Sequence, residues 1–332
     1  RFSLASADHP RAAMNFPEHH AEAKALLEAL AGHRIAVVSH VRPDGDCLGA
    51  AIALTRLLRE LGFDAVAINH HEVPRRLAAF VGETPAQFGV TGPGEATVAV
   101  YVDCAGQDRA GEVLAPRLPE ALGNLDHHVT NPGYARHNLV APSATATCEL
   151  IAGLARDLGW AVDGVTASAL YLGIFTDTGG FRHASLSART FHLAAWLVEQ
   201  GADPLGIAAA VNAGKPWGAY GLLERFLGTR EAAFDRRLVL GQVAQRDFEE
   251  TGTTREDAED FAGLFAMADG VVLACVFEEL VDGRWKASLR SVDPAARVGE
   301  LATQFGGGGH PCAAGFTLPE PLDTFRPAFL AA

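Results

Sequence analysis

Four short clusters of acid and histidine carry the chemistry of this chain: His40-Val41-Arg42-Pro43-Asp44-Gly45-Asp46, Tyr101-Val102-Asp103, Asp126-His127-His128 and Thr176-Asp177-Thr178. Each closes an apolar run. Carboxylates and imidazoles delivered to element ends are the donor types of a divalent-metal site that handles phosphate. Asp44 and Asp46, two residues apart, repel each other unless a cation lies beside or between them. His40, Asp44, Asp46, Asp103, His127 and Asp177 together hold four carboxylates, whose charge two divalent ions would neutralise. Asp103 has two oxygens and can bridge both ions. An oxygen-rich set with a few imidazoles suits Mn(II), then Mg(II) or Co(II), better than zinc. Two such ions about 3.5–4 Å apart are the usual device for directing a water at phosphorus. Any one of these residues alone reads as a turn former or helix cap. The four clusters together do not.

A second carrier lies further along. Gly306-Gly307-Gly308-Gly309-His310 is followed by Ala313-Ala314-Gly315. Glycines leave a backbone that a ligand can approach closely, and the N–H groups of Gly307, Gly308 and Gly309 can line an anion-binding concavity. His310 can donate to a phosphate oxygen. Upstream, Ser288-Leu289-Arg290-Ser291 closes a strand-like run, where Arg290 can grip phosphate through two parallel hydrogen bonds with Ser288 beside it.

Alternating strands and helices must position these groups. Apolar runs at 35–40, 64–69 and 97–103, with a short one at 124–126, read as buried parallel strands. Helices are expected over 48–61, 143–158 with Ser143 as N-cap, 164–175, 187–200, 204–212 and 216–228. The fold class is α/β: a parallel sheet with helices on both faces, plus a smaller α/β domain across a cleft. In parallel sheets ligands bind at the carboxyl ends of strands, where His40, Asp103 and Asp126 fall. The pattern changes near 230. Strands at 237–245 and 271–280, a helix over 255–267, and a hairpin turn at Asp282-Gly283 leading into 284–291 follow. The expected division is a catalytic domain over 20–205, a mostly helical linker over 206–232 and a substrate-binding domain over 233–332. Residues 1–19 read as a disordered extension, with Met14 a candidate natural start.

Composition narrows the function. The chain has 332 residues, 48% hydrophobic and 20% charged, with a net charge of −13, which is globular. No run approaches membrane-helix length and no leader layout precedes residue 20, so a cytoplasmic location is expected. Five cysteines, at 47, 104, 148, 275 and 312, form no C-x-x-C pair and read as small buried residues. A protein coating long nucleic acid needs a broad basic face. This acidic chain suits a small or short anion, with no long duplex and no membrane as partner.

Assembled, the motifs resemble the DHH phosphoesterases, named for the triplet seen here as Asp126-His127-His128. Residues 40–49 resemble the family's first motif, Asp103 its second, 176–182 its fourth, and the glycine run with His310 the DHH-associated C-terminal domain. The resemblance covers roughly 20–320. Size and C-terminal type resemble the nano-RNase (oligoribonuclease) and pAp phosphatase branch, and the nuclease part of RecJ without its extra domains. It implies manganese-dependent hydrolysis of very short oligonucleotides to mononucleotides, 3′-phosphate removal from pAp, action on dinucleotides in some members, and a homodimer. His40, Asp44 and Asp103 would hold one ion; Asp46, Asp103, His127 and Asp177 the other. Asp126 would orient a ligand, and His128 would stabilise charge on the scissile phosphate. Arg290 and His310 would grip the substrate from the second domain, with help from Arg182. Two departures, Ala50 for the usual Ser and His183 for the usual aromatic, remove no ligand.

Three other functions fit parts of the pattern. A manganese pyrophosphatase shares the acidic clusters but not the glycine run with His310. A single-strand exonuclease on long DNA needs a further binding domain. A non-catalytic nucleotide sensor should have lost ligands, and this sequence keeps them all.

Overall fold

A computed structural model describes residues 14–182, 186–212, 216–258, 260–293, 295–319 and 321–331. Two compact units divide the chain, Arg1–Ala213 and Gly214–Ala332.

The first unit runs α1 (His20–Leu30), β1 (Arg34–Val38), α2 (Gly45–Glu60), β2 (Asp64–Ile68), β3 (Ala86–Gln87), β4 (Val98–Val102), β5 (Ala121–Asp126), β6 (His137–Val140), α3 (Thr147–Leu158), α4 (Gly164–Asp177), α5 (Ala188–Glu199) and α6 (Pro204–Asn212). Its six strands are all parallel, in the order β3-β2-β1-β4-β5-β6. The run Val98-Ala-Val-Tyr-Val102 is apolar throughout because a central parallel strand is covered on both faces. Ile35, Val37, Val100 and Val102 face the core shared with α1–α5. Ala36, Val38, Ala99 and Tyr101 face Ala110, Leu114 and Ala115 of the 3-10 turns between β4 and β5.

The chain leaves β1 towards β2 and β3 on one side, and returns to β4, β5 and β6 on the other. The strand order reverses between β1 and β4, which opens a crevice at their carboxyl ends. His40 follows β1 and Asp103 follows β4. The fold therefore sets both at one place.

The second unit runs α7 (Trp217–Gly228), β7 (Glu231–Ala233), β8 (Leu238–Val243), α8 (Gln245–Thr251), α9 (Phe261–Ala266), β9 (Leu273–Glu279), β10 (Trp285–Ser291), α10 (Val298–Gln304), β11 (Gly308–His310), β12 (Ala313–Thr317) and α11 (Leu322–Ala331). Its sheet is mixed, ordered β11-β12-β10-β9-β8-β7, with only β8 and β9 parallel. The expected hairpin forms: β9 and β10 pair antiparallel around Asp282-Gly283.

Several elements differ from the sequence expectation. The helix expected from Ser143 begins at Thr147 with Ala146 as N-cap, and the Ser143 carbonyl instead accepts from Arg189. The helix expected over 255–267 is a 3-10 turn at Arg255–Ala258 and a separate α9. The fourth strand is longer than read, starting at Ala121. Of the residues read as a disordered extension, those at 15–19 are ordered: Phe16 is fully buried, and Asp157 accepts from the Asn15 and Phe16 amides and from His20. Residues 1–13 and His183 lie outside the described residues. Strands β3, β6, β7, β11 and β12 and helices α1, α8, α10 and α11 are additions. Among the described residues, no helix is long and apolar enough to cross a membrane.

Candidate metal centre

Asp44 and Asp46 stand at the start of α2. Asp44 is the N-cap of α2, accepting from the Cys47 amide at 2.9 Å, and Asp46 lies in the helix's first turn. Both benefit from the positive helix end. Asp46 is completely buried and takes the α3 amides of Thr147 on Oδ2 at 2.7 Å and Cys148 on Oδ1 at 2.9 Å. Asp103 sits one residue past β4 with φ +55°, a left-handed conformation that Asp tolerates better than most residues. Asp177 ends α4, where the helix's negative end disfavours a carboxylate.

The six side chains converge. His40 Nε2 lies 3.8 Å from Asp44 Oδ2 and 3.3 Å from Asp103 Oδ2. His127 Nε2 lies 3.6 Å from Asp103 Oδ1, 3.3 Å from Asp177 Oδ2 and 4.0 Å from Asp46 Oδ2. Ligand-capable atoms group as His40–Asp44–Asp103, as Asp46–His127–Asp177, and as Asp103–His127–His128. The two Asp103 oxygens thus face different groups.

The tautomer of His40 matters. Its Nδ1 lies 2.9 Å from the Val41 carbonyl, which only accepts, so Nδ1 carries the proton. In the neutral ring, Nε2 then aims a lone pair at two carboxylates. That is repulsive unless a cation or a second proton intervenes. Burial lowers the His40 pKa, but Cys47, Asp103 and Asp44 outweigh it and hold it well above its ordinary value.

The carboxylates show the same deficit of positive charge. Burial, and after it the Asp103 charge, push Asp46 up to about 7. Burial and the charges of Asp46, Asp44 and Asp103 push Asp177 well above its ordinary value. Asp103 goes the other way: burial raises it, but the bond to His40 and the charges of His40, His127 and His128 hold it well below. Four carboxylates and two imidazoles, with Asp46 and Asp103 buried, Asp177 half-buried and Asp44 at the exposed rim, are short of positive charge, present two groups of donors and fit a pair of divalent cations.

Asp126 and His128 form a neighbouring pair. Asp126 Oδ1 accepts from His128 Nδ1 at 2.7 Å and from the His127 amide at 2.8 Å; Asn131 donates to Oδ2 at 2.6 Å. Burial lowers the His128 pKa, but the Asp126 bond and the charges of Asp103 and Asp126 leave it raised.

The remaining candidates divide between the two units. Arg182 folds back onto its own loop, its Nε donating to the Gly179 carbonyl at 2.6 Å. In the second unit Ser288 and Arg290 share one face of β10, and Ser288, Gly315 and Gly308 align across three strands. Arg290 is half-buried, and burial holds its pKa down against the opposing pull of Asp260. Two glycines of the run have packing reasons: a Cβ at Gly307 would strike the Gly315 carbonyl, and one at Gly309 the Ala313 carbonyl. Gly306, at φ +76°, closes α10, while Gly308 has open space where a Cβ would stand. His310 lies in β11, and its side chain is outside what is described.

Sequence reasoning missed the residues that hold the candidate ligands in place. Thr147 donates its hydroxyl to Asp103 Oδ1 at 3.0 Å. Asn69 donates to the Ser39 hydroxyl at 2.9 Å and the His40 carbonyl at 2.8 Å, fixing the chain beyond β1. Small polar residues just before an apolar helical run are a helix-start signal, but nothing in sequence reveals their partners.

Comparison with known proteins agrees with this geometry. The DHH family N-terminal domain model matches residues 34–174, and the DHHA1 domain model matches 238–332. The chain is 30% identical over 293 residues to a bifunctional oligoribonuclease and PAP phosphatase NrnA of Thermus thermophilus, covering 88% of this chain and 86% of that protein. In fold it is similar to an exopolyphosphatase-related protein from Bacteroides fragilis, with a TM-score of 0.83 at 23% identity, covering 95% and 96% of the two chains. It also shares its fold with part of RecJ from Thermus thermophilus in complex with Mn2+, with a TM-score of 0.54 at 17% identity, over 94% of this chain and 53% of that one. With its four acid–histidine clusters gathered at one strand-order reversal, the chain belongs to the DHH family of phosphoesterases and carries that family's DHHA1 domain.

Proposed function

We propose that this protein is a Mn(II)-dependent phosphodiesterase that degrades very short oligonucleotides to mononucleotides, removes the 3′-phosphate of pAp and hydrolyses linear dinucleotides. The observation that carries the reading is Asp103: one carboxylate with Oδ2 towards His40 and Oδ1 towards His127. This is the arrangement of a bridging ligand. The relative from Thermus thermophilus, similar over most of both chains, is named for the oligoribonuclease and PAP phosphatase pair of activities.

His40, Asp44 and Asp103 would hold one ion, and Asp46, Asp103, His127 and Asp177 the other. Bound there, the two ions supply Lewis-acid polarisation of the phosphoryl group and a water nucleophile acidic enough to react near neutral pH. The chain's own residues do the rest. Asp103 fixes the spacing of the two donor groups. Asp126 holds the His128 ring through Nδ1, and the protonated ring donates from Nε2 to a phosphoryl oxygen as charge builds there. Arg290, Ser288, Gly307, Gly308, Gly309 and His310 bind the substrate's other phosphate or its end, with Arg182 assisting. Arg290, half-buried, suits a charge-assisted bond to phosphate. The −13 net charge disfavours long nucleic acid and favours short substrates whose charge is met locally. Cys47, Cys104, Cys148, Cys275 and Cys312 are free thiols, which suits a reducing cytoplasm. The family resemblance also implies a homodimer, which light scattering checks.

The test is a substrate panel with Mn(II), Mg(II) and Co(II), read by product chromatography. Chains of two to five nucleotides, pAp and pyrophosphate are compared with a twenty-four-nucleotide strand. Mn(II)-dependent turnover concentrated on the shortest chains and pAp is expected. Pyrophosphate as the fastest substrate, or equal rates at all lengths, would overturn the reading.

A further inference from the structure

Thr147 opens α3 and reaches two members of the centre at once. Its amide donates to Asp46 Oδ2 at 2.7 Å, and its hydroxyl donates to Asp103 Oδ1 at 3.0 Å. All three residues are buried. We propose that Thr147 is a positioning residue that fixes Asp46 relative to Asp103 and thereby seats the ion assigned to Asp46, His127 and Asp177. The inference rests on the two-ion reading above.

Local structure does not account for the hydroxyl. The N-cap of α3 is Ala146, so Thr147 is not spent as a cap, and the helix would start as well with Ala or Val. What the hydroxyl does is occupy one of the two acceptor positions on Asp103 Oδ1. The other stays towards His127, and Oδ2 stays towards His40. Without that bond the Asp103 carboxylate is freer to rotate about its last torsion.

The seat of Thr147 is itself rigid. Glu149, fully buried, accepts from the Thr145 amide at 2.7 Å, the Thr145 hydroxyl at 2.6 Å, the Thr190 hydroxyl at 3.3 Å and Arg189 Nε at 2.9 Å. Arg189 also donates to the Ser143 carbonyl at 2.7 Å and stacks over Phe16 at 4.0 Å. The turn before α3 is thus tied to α5 and to the N-terminal segment, and Thr147 is placed before any ion arrives. Such preorganised partners of metal ligands hold geometry and affinity together.

The experiment compares wild type, Thr147→Val and Thr147→Ser by Mn(II) titration calorimetry, by the spin-coupled Mn(II) pair signal in electron paramagnetic resonance, and by kcat and KM on pAp. Val keeps the shape and the amide but loses the hydroxyl; Ser keeps the hydroxyl. Thr147→Val is expected to weaken the second Mn(II) by about 10–100-fold, dim the coupled signal and lower kcat with KM little changed. Thr147→Ser should restore all three to near wild type. Wild-type Mn(II) affinities and coupling in Thr147→Val, or a Ser variant as impaired as Val, would overturn the proposal. Should Val fail to fold, Thr147→Ala against Thr147→Ser decides it by the same readouts. Failure of the two-ion reading shows separately, as wild type taking up fewer than two Mn(II).

Discussion

Asp177 occupies a place that helix electrostatics disfavours. It is the last residue of α4, beside carbonyls that carry partial negative charge, and burial, then the charges of Asp46, Asp44 and Asp103, raise its pKa. A carboxylate kept there needs a cation nearby, which a purely structural role would not. His128 is the proposed reactive counterpart: the Asp126 bond and the charges of Asp103 and Asp126 outweigh burial and raise its pKa above 6.5, so the ring keeps its proton further into the neutral range. Activity that needs the imidazolium is present below the raised pKa and lost as pH rises through it. His128→Gln should lower kcat by about 10²–10³-fold and remove that alkaline loss, as a pH–rate profile would report. The six ligand candidates are legible in sequence because four acid–histidine clusters each close an apolar run, a recurrence that turn and cap roles taken singly do not explain. Thr147, Asn69 and Asn131 are not, because hydroxyls and amides are common everywhere. What distinguishes them is the partner each one holds: Asp103 for Thr147, the His40 carbonyl for Asn69 and Asp126 for Asn131.

At the scale of elements, the centre depends on how closely α2 and α4 approach. A Cβ at Gly45 would run into Thr176, one at Gly49 into the Ala169 carbonyl, and one at Gly173 into Cys148 and the Asp46 carboxylate. Gly173→Ala should therefore move Asp46 off its α3 amides as well as overpack the core. We expect a stability loss of about 1–3 kcal/mol in urea denaturation and weaker Mn(II) binding. If binding is untouched while stability falls, Asp46 is not held by this packing. The long apolar strands β1, β2, β4 and β9 and helices α4–α7 are readable from periodicity. Strands β3 and β11 have two and three residues and offer no period to read. Edge strand β6, His137-Asn-Leu-Val140, is half polar because one side lacks a neighbour. Helix α1 carries Ala23, Leu26 and Leu30 at helical spacing, yet its polar start blends into the segment before it. The division of α9 from the turn at Arg255–Ala258 depends on tertiary packing that short-range pattern does not encode.

At the scale of the molecule, strand order brings distant segments together: the reversal between β1 and β4 places residues near 40 and 103 side by side, and α2, α3 and α4 close over them. This gathers negative charge into the interior of an already acidic chain. Without metal, burial and then the Asp103 charge push the Asp46 pKa up to about 7 from its ordinary 3.8. The folded state then holds a proton that the unfolded state has released. Its contribution to stability is complete below the unfolded value and is lost as pH rises through about 7. Melting temperature of protein stripped with EDTA should fall across that interval, and saturating Mn(II) should raise it and flatten the dependence. The most direct test of the central claim is anomalous diffraction from a Mn(II)-soaked crystal. The account expects two peaks flanking the Asp103 carboxylate, one among His40 and Asp44, the other among Asp46, His127 and Asp177, about 3.5–4 Å apart. A single peak, or none within reach of those six side chains, would contradict it.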